Sequence, residues 1–332
     1  MSLFPTQYST LSAAALRLYI EQAYGFTGLT CRYLLRGVSD TYVLEGSAAK
    51  YILKIYREAH RSLDEIRGEV ALLTLLCDNG ARVAAPLADA AGEYVQHFAA
   101  AEGSRHGVLF AYAEGNSVYT LSDAQLRTVG REMARVHNCT AGLQLPYPRP
   151  IYNVATTLTG PLQVLEPSFQ AYPEGLTYLR ELAAAVERKL AEFDLGAFGY
   201  GYCQYDFLPK NFHFDAQDAL TFFDFDFAGQ GYLVNDVMSF FVHFFLDRYY
   251  KGVPPAEAER AFAVFLAGYR EVRPLSEAEL AAIPYLGVMF WTFYLGFAAE
   301  NFDDWSNFFF TPRYIQERVA LIKQWVEWYG VG

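Results

Sequence analysis

The stretch "CQYDFLPKNF", residues 203–212, and the nearby "FFDFDFAGQG", residues 222–231, place Asp206, Asn211 and Asp224 among apolar neighbours. A buried carboxylate costs free energy unless a partner compensates it. Oxygen ligands of this kind suit Mg²⁺ that is shared with substrate phosphates, and a further carboxylate can take a proton from a hydroxyl. The pattern therefore indicates a phosphoryl-transfer site, with Asp206 as the base and Asn211 and Asp224 as metal ligands.

Such a site also needs a cation that holds the phosphates and an acid that holds the cation. Lys54 alternates with apolar residues in "YILKIYR", which predicts a strand, and burial of its ammonium group requires a partner. Glu69 lies fifteen residues further on, in a predicted helix, and is a suitable partner. Upstream, "LLRGVSDTYVLEG" predicts two strands joined by a turn, whose backbone amides near Gly37 and Ser39 could cover phosphates.

The order of elements predicts an α+β fold with two lobes. Short apolar runs between residues 31 and 57 are typical of an antiparallel meander, and Ser62 with Glu65 forms a capping-box signature before a helix. We assign residues 1–112 to a small N-terminal lobe of antiparallel sheet with one main helix. Residues 113–332 form the larger, mostly helical lobe. Helices are expected at 234–249, 255–270, 276–300 and 312–329, and the proline-rich tract 146–177 reads as loop or broken helix.

Composition restricts the function further. Hydrophobic residues make up 53% of the chain, which excludes disorder, and the net charge of −11 argues against a nucleic-acid partner. The same charge is compatible with a cationic or zwitterionic small molecule. The uncharged run Leu280–Ala299 is interpreted as a buried core helix because Pro284 interrupts it and no basic residue flanks it closely. Scattered cysteines and the lack of a signal-peptide pattern predict a cytoplasmic protein with no membrane partner.

The order of these residues along the chain resembles that of one known family. The residues in this order are Gly37, Lys54, Glu69, "GREMARVHN" at 130–138 and the Asp206–Asn211 pair. The chain is similar, over about residues 28 to 330, to the aminoglycoside phosphotransferase and choline kinase superfamily, whose fold is that of protein kinases. "YILKIYR", "VAAPL" and "FAAENFDDW" are most similar to the bacterial branch of type II homoserine kinases and stress-response kinase A.

That resemblance implies a role for each matching residue. Asp206 would be the catalytic base, Asn211 and Asp224 would hold Mg²⁺, and Lys54, paired with Glu69, would contact the α- and β-phosphates of ATP. Backbone groups of Ala111 and Tyr112 would bind the adenine. The sequence departs from the family at Gln204, where a histidine usually supports the loop, although an amide can also donate and accept.

The acceptor is less defined. The predicted strand "LTFFDF", residues 220–225, carries Asp224, and Asp226 follows it. Aromatic and acidic residues late in the chain could hold an amine by cation–π contact and charge, although core packing explains the rings as well. These substrate candidates are Asp226, Trp291, Tyr294, Glu300, Asp304 and Trp305. His137 is expected to make a structural hydrogen bond, and Asn235 and Asp236 are expected to cap a helix.

Three functions follow from this pattern. The first is ATP- and Mg²⁺-dependent phosphorylation of a small-molecule hydroxyl, for example on an amino alcohol such as homoserine or choline, or on an aminoglycoside. The second is a protein Ser/Thr kinase of the stress-response type. The third, prompted by Gln204, is a nucleotide-binding module without turnover.

Overall fold

The computed structural model describes residues 4–58, 60–301 and 310–331. The chain divides into two compact units. The first unit contains Met1–Gly115, Leu145–Pro148 and Thr221–Asp226, and the second unit contains the remainder. The short segment Thr221–Asp226 therefore belongs with the N-terminal third, although it lies far along the chain. The predicted lobe boundary after residue 112 stays a prediction.

The first unit is built on an antiparallel sheet. Its strands are β1 (Thr30–Arg36), β2 (Ser39–Glu45), β3 (Lys50–Tyr56), β4 (Pro86–Leu87), β5 (Val95–Ala100) and β6 (Gly103–Ala111). They are ordered β1-β2-β3-β6-β4, and β5 also pairs with β6. In the central pair β3–β6, Lys54 lies opposite Val108, with apolar residues on either side of it in the strand. Lys54, the basic residue in the middle of β3, is therefore buried, with only 8% of its surface exposed.

Two helices accompany this sheet. Helix α1 (Ala13–Tyr24) buries Leu16 and Ile20 against sheet residues, and helix α2 is Leu63–Asp78. The predicted capping box is present at the start of α2, where Ser62 and Glu65 exchange side-chain to backbone hydrogen bonds. Helix α1 is not predicted from the sequence; at its start the Ser12 hydroxyl accepts a hydrogen bond from the Ala15 N–H.

The region after residue 115 is mostly helical. Its longer helices are α3 (Asp123–Thr140), α4 (Gly160–Leu165), α5 (Pro173–Leu190), α6 (Val234–Lys251), α7 (Pro255–Arg270), α8 (Glu277–Asn301) and α9 (Pro312–Tyr329). The short strands are β7 (Tyr200–Cys203), β8 (Phe212–Phe214), β9 (Leu220–Phe222) and β10 (Gly229–Tyr232), and β7 pairs with β10. A π-helical turn at Ala155–Thr159 and a 3-10 turn at Glu166–Phe169 interrupt the tract predicted to be broken. The α+β, kinase-like class is confirmed by this arrangement together with the structural likenesses reported below.

Helix α8 is long and apolar enough to cross a membrane by length and composition, and 56% of its most apolar window is buried. Pro284 lies inside it, and the carbonyl oxygen of Pro284 accepts a hydrogen bond of 2.8 Å from the Trp325 indole of α9. This buried packing against α9 agrees with the interpretation of α8 as a core helix.

Candidate active site

In the first unit, Lys54 stands between two carboxylates. Its Nζ atom is 2.9 Å from Asp224 Oδ1 and 3.8 Å from Glu69 Oε1. Glu69 is buried on α2 and also accepts a hydrogen bond of 3.1 Å from the Tyr56 hydroxyl. Burial lowers the pKa of Lys54, but the charges of Asp224 and Glu69 raise that pKa well above its ordinary value. The lysine is therefore a fixed positive charge.

Asp224 lies beyond the strand that was expected to carry it. The apolar run predicts a strand through residue 225, but β9 ends at Phe222. Asp224 has a φ of 61°, in the left-handed region, which no regular strand residue adopts. The strand assignment for Asp224 is therefore wrong, and a turn positions it. Its side chain remains 48% exposed beside Lys54, so a carboxylate oxygen is accessible.

Asp226, a substrate candidate, is deeply buried in the same unit. Its Oδ1 atom accepts a hydrogen bond of 3.2 Å from Arg61 Nε, and its carbonyl oxygen accepts one from Nη2 of the same guanidinium. Asp226 is 2% exposed. This double contact favours a structural role, in which Arg61 fixes the chain two residues after Asp224.

The turn between β1 and β2 contains Gly37 and Ser39. The Gly37 N–H donates to the Ser39 carbonyl oxygen (3.0 Å), and Arg57 Nη2 donates to the Gly37 carbonyl oxygen (3.1 Å). His60 Nδ1 lies 3.0 Å from the Val38 carbonyl oxygen. Side chains that follow β3 thus fasten the turn to the sheet. Its role in covering phosphates stays a prediction.

The predicted adenine site offers fewer groups than the sequence suggests. The Ala111 N–H donates to the Ala85 carbonyl oxygen at 2.8 Å, and the Tyr112 N–H donates to the Lys50 carbonyl oxygen at 3.4 Å. The first bond is short, so the Ala111 N–H is already used within the sheet. The adenine-binding role of Ala111 and Tyr112 stays a prediction.

In the second unit, Asp206 and Asn211 form one compact group. The Asn211 amide nitrogen donates to both the backbone oxygen and Oδ2 of Asp206, each at 2.8 Å. Lys210 Nζ is also 2.8 Å from Asp206 Oδ2. Asp206 and Asn211 are each 4% exposed. The amide nitrogen of Asn211 therefore faces Asp206, and the role of its amide oxygen as a metal ligand stays a prediction.

Asp236 fixes the backbone just before Asp206. Its two carboxylate oxygens accept hydrogen bonds from the N–H groups of Gln204 (2.9 Å) and Tyr205 (2.7 Å). Tyr205 has a φ of 65°, and its ring stacks on Tyr152 at a centroid distance of 3.6 Å. Ser239 adds a further contact, because its hydroxyl accepts from the Phe207 N–H at 3.0 Å. The predicted capping role of Asn235 and Asp236 is wrong, because both residues lie inside α6, whose N-cap Leu233 has no side-chain cap hydrogen bond. The contacts of Asp236 with the loop could not be read from its position in the sequence.

His137 supports Asp236 in turn. Its Nε2 atom lies 3.0 Å from Asp236 Oδ2, and its Nδ1 atom lies 2.7 Å from the Tyr269 hydroxyl oxygen, both within hydrogen-bond distance. The predicted structural hydrogen bond of His137 is therefore present. A histidine from α3, acting through Asp236, reaches the loop in which Gln204 replaces the usual histidine.

A cavity of about 210 Å³ opens beside Asp206 within the second unit. Apolar side chains of α6, α8 and α9 form most of its wall. Its polar lining residues include Asp206, Lys210, Trp291, Tyr294 and Arg318. Burial, followed by the charge of Asp206, raises the pKa of Tyr294 well above its ordinary value, so its hydroxyl keeps its proton.

The late substrate candidates fall into three groups. Trp291 and Tyr294 line this cavity, whereas Glu300 is exposed at the end of α8 and does not line it. Asp304 and Trp305 lie outside the described residues. Arg318 and Lys210 also line the cavity, but neither is among the site residues predicted from the sequence. Lys210 lies directly before Asn211 in the predicted motif.

The described side chains also limit how a metal ion could be held. Within residues 4–58, 60–301 and 310–331, no group of three or more His, Cys, Asp or Glu side chains could hold a metal ion. Asn211 in the second unit and Asp224 in the first each carry a side-chain oxygen of the type that Mg²⁺ binds. Their joint role as metal ligands stays a prediction.

A buried lysine between two acids in one unit and an Asp–Asn loop in the other are features typical of phosphotransferases. Sequence comparison identifies the particular group: the chain belongs to the phosphotransferase enzyme family, which it matches over residues 30–275. The prediction of a kinase-type enzyme that acts on alcohol groups is confirmed at this level.

Two relatives illustrate the range of the family. A Deinococcus radiodurans protein without an assigned activity is 28% identical over 330 residues, covering 98% of this chain and 94% of the relative. The homoserine kinase of Phenylobacterium zucineum is 25% identical over 263 residues, covering 78% and 76%.

Solved structures confirm the fold. A microcompartment-associated aminopropanol kinase superposes with a TM-score of 0.77 at 20% identity, covering 96% of this chain and 99% of its own. An amicoumacin kinase in complex with AMP-PNP, Ca²⁺ and Ami gives a TM-score of 0.71 at 20% identity, covering 93% and 94%.

Proposed function

We propose that this protein is an ATP- and Mg²⁺-dependent phosphotransferase that moves the γ-phosphate of ATP to a hydroxyl group of a small molecule. The observation that carries the proposal is the position of Asp206, a buried carboxylate held by Asn211 and Lys210 at the wall of a small cavity. Relatives named as kinases of homoserine, aminopropanol and amicoumacin support an alcohol acceptor.

Asp206 orients the acceptor and takes its proton. As the acceptor oxygen bonds to the γ-phosphorus, the bond from that phosphorus to the β–γ bridging oxygen breaks and ADP leaves. The proton of the alcohol passes to Asp206, whose backbone is fixed through Tyr205 and Asp236. Most of the catalysis is then positioning and stabilisation of charge.

The remaining site residues act on the nucleotide. Lys54, kept charged by Asp224 and Glu69, would hold the α- and β-phosphates, and the turn at Gly37 would cover them. Asn211 and Asp224 would hold Mg²⁺, which neutralises phosphate charge when bound. Backbone groups of Ala111 and Tyr112 would hydrogen-bond the adenine.

The test is ATP turnover with a panel of amino alcohols, hydroxy acids, sugars and aminoglycosides, using the wild type and Asp206→Asn. We expect kcat to fall by about 10²- to 10⁴-fold in Asp206→Asn because the proton acceptor is lost. Stabilisation of the fold by Mg²⁺ and ATP should persist, since the nucleotide contacts are unchanged.

Glu181→Gln is the control, because Glu181 is exposed on α5. Full activity of Asp206→Asn would contradict the assigned role. Transfer to protein Ser or Thr and to none of the small molecules would replace the proposal, and so would nucleotide binding with no transfer at all.

A further inference from the structure

The cavity beside Asp206 carries an unexpected positive charge. Among its charged lining residues, Asp206 and Lys210 pair with each other at 2.8 Å. Arg318 of α9 also lines the cavity, and within the described parts of the chain no carboxylate pairs with it. Instead its guanidinium lies over the Tyr314 ring, 4.7 Å from the ring centroid. This stacking restricts the position of the guanidinium, whose charge has no carboxylate partner among residues 4–58, 60–301 and 310–331.

Two buried donors in this wall lack acceptors. Arg318 Nε and Trp291 Nε1 are both buried, and neither has a hydrogen-bond partner among the described residues. Buried N–H groups in folded proteins are nearly always paired with protein, water or ligand, so these two donors, on residues that line one cavity, retain the capacity to bind an oxygen of a ligand. A carboxylate matches this capacity, because guanidinium groups bind carboxylates through charge-assisted hydrogen bonds.

The rest of the wall limits the size of such a ligand. Val242, Leu246, Leu295 and Ile322 contribute apolar surface. At about 210 Å³ the cavity is smaller than pockets for drug-sized ligands, which span roughly 300–1,000 Å³. A short carbon chain fits these dimensions better than a multi-ring polyamine.

We propose that Arg318, assisted by the Trp291 indole N–H, forms a carboxylate subsite, so that the acceptor is a small hydroxy acid or hydroxy amino acid. The alcohol faces Asp206, the carboxylate faces Arg318, and the apolar wall covers the carbons between them. This inference rests on the proposed function and specifies its substrate class. It also replaces the expectation that acidic residues cradle a cationic acceptor.

The test compares matched compounds. Homoserine, serine, threonine and unbranched ω-hydroxy acids are each paired with the counterpart in which the carboxylate is reduced to an alcohol. Binding is measured by calorimetry and phosphorylation by ADP release. The proteins are the wild type, Arg318→Gln, Arg318→Lys, Trp291→Phe and Arg313→Gln. Arg313 is the control because it lies on the same helix, is exposed, and pairs with Glu317 away from the cavity.

We expect the wild type to prefer the carboxylates. Arg318→Gln should lower affinity and kcat/KM for them by roughly 10- to 100-fold, with little change for the reduced counterparts. Arg318→Lys should recover part of the loss, Trp291→Phe should cost several-fold, and Arg313→Gln should match the wild type.

Two results would distinguish failure of the carboxylate subsite from failure of the proposed phosphotransferase function. If the carboxylates bind in an Arg318-dependent manner but none is phosphorylated, the subsite stands and the proposed function falls. If phosphorylation occurs equally with and without the carboxylate, and Arg318→Gln has no effect, the carboxylate subsite is wrong and the phosphotransferase stands. Equal binding of both compound sets by the wild type also overturns the subsite.

Discussion

The backbone of Tyr205 adopts a left-handed conformation directly before the proposed base, although the residue carries a large side chain. Such a conformation costs a non-glycine residue about 1–2 kcal/mol. The stacking on Tyr152 and the hydrogen bond to Asp236 offset this cost. Asp236 is thus a positioning residue: it holds the loop that aims Asp206 and does not itself contact the acceptor.

Replacing Asp236 with Asn tests this role. The amide has one acceptor oxygen where the carboxylate uses two, so one loop N–H loses its partner. We expect the free energy of unfolding to fall by about 1–3 kcal/mol in urea titrations, and kcat to fall more than the affinity for ATP. Asp194→Asn, at an exposed position of the same unit, is the control. Unchanged stability and kcat in Asp236→Asn would contradict the positioning role.

At the scale of single residues, the sequence identifies a functional candidate when its side chain is chemically different from its neighbours in the chain. Lys54 stands out in an apolar strand, and Asp206 and Asn211 stand out in an apolar loop. Asp236 does not, because acids are common at helix starts, and its partner Gln204 is 32 residues away. Arg318 resembles any helix arginine until the fold brings α9 to the cavity, so its role could not be predicted.

At the scale of elements, local signals explain both the correct and the missed assignments. The capping box places the start of α2, since all its atoms lie within four residues. Helix α1 is missed because its stability depends on packing Leu16 and Ile20 against distant strands. The strand at residue 220 is extended too far because an apolar pattern does not reveal the positive φ of Asp224.

The turn between β1 and β2 allows a test that spares the fold. Gly37 has no neighbour within 4 Å of an added Cβ atom and its φ lies outside the left-handed region. Gly37→Ala should therefore leave the thermal midpoint unchanged or slightly raised. If this turn covers phosphates, the methyl group should raise the KM for ATP several-fold and leave the acceptor KM unchanged. An unchanged ATP KM would remove the turn from the nucleotide site.

At the scale of the whole molecule, burial lowers the reactivity of the cysteine thiols because it raises their pKa. Burial raises the pKa of Cys31 to about 11, the pKa of Cys203 well above its ordinary value, and the pKa of Cys77 and Cys139 as well. Only the thiolate reacts readily, and its fraction falls about tenfold for each unit by which the pKa rises.

The native protein should therefore react slowly with iodoacetamide near pH 8, with Cys203 the slowest, and reaction should quicken as the pH rises. In guanidinium chloride all four cysteines of the chain should react at the rate of an unfolded peptide. Mass spectrometry of timed samples measures this. One thiol that reacts at the peptide rate in the native state would show that its environment stabilises the thiolate.

The pairing of Lys54 with Asp224 spans 170 residues of chain. During synthesis at about 5–20 residues per second, the lysine leaves the ribosome roughly 9 to 34 s before its partner does. Through that interval the nascent sheet holds an ammonium group with Glu69 as its nearest available counter-charge. We expect this growing intermediate to be loosely packed and to be a preferred client of ribosome-associated chaperones until the aspartate arrives.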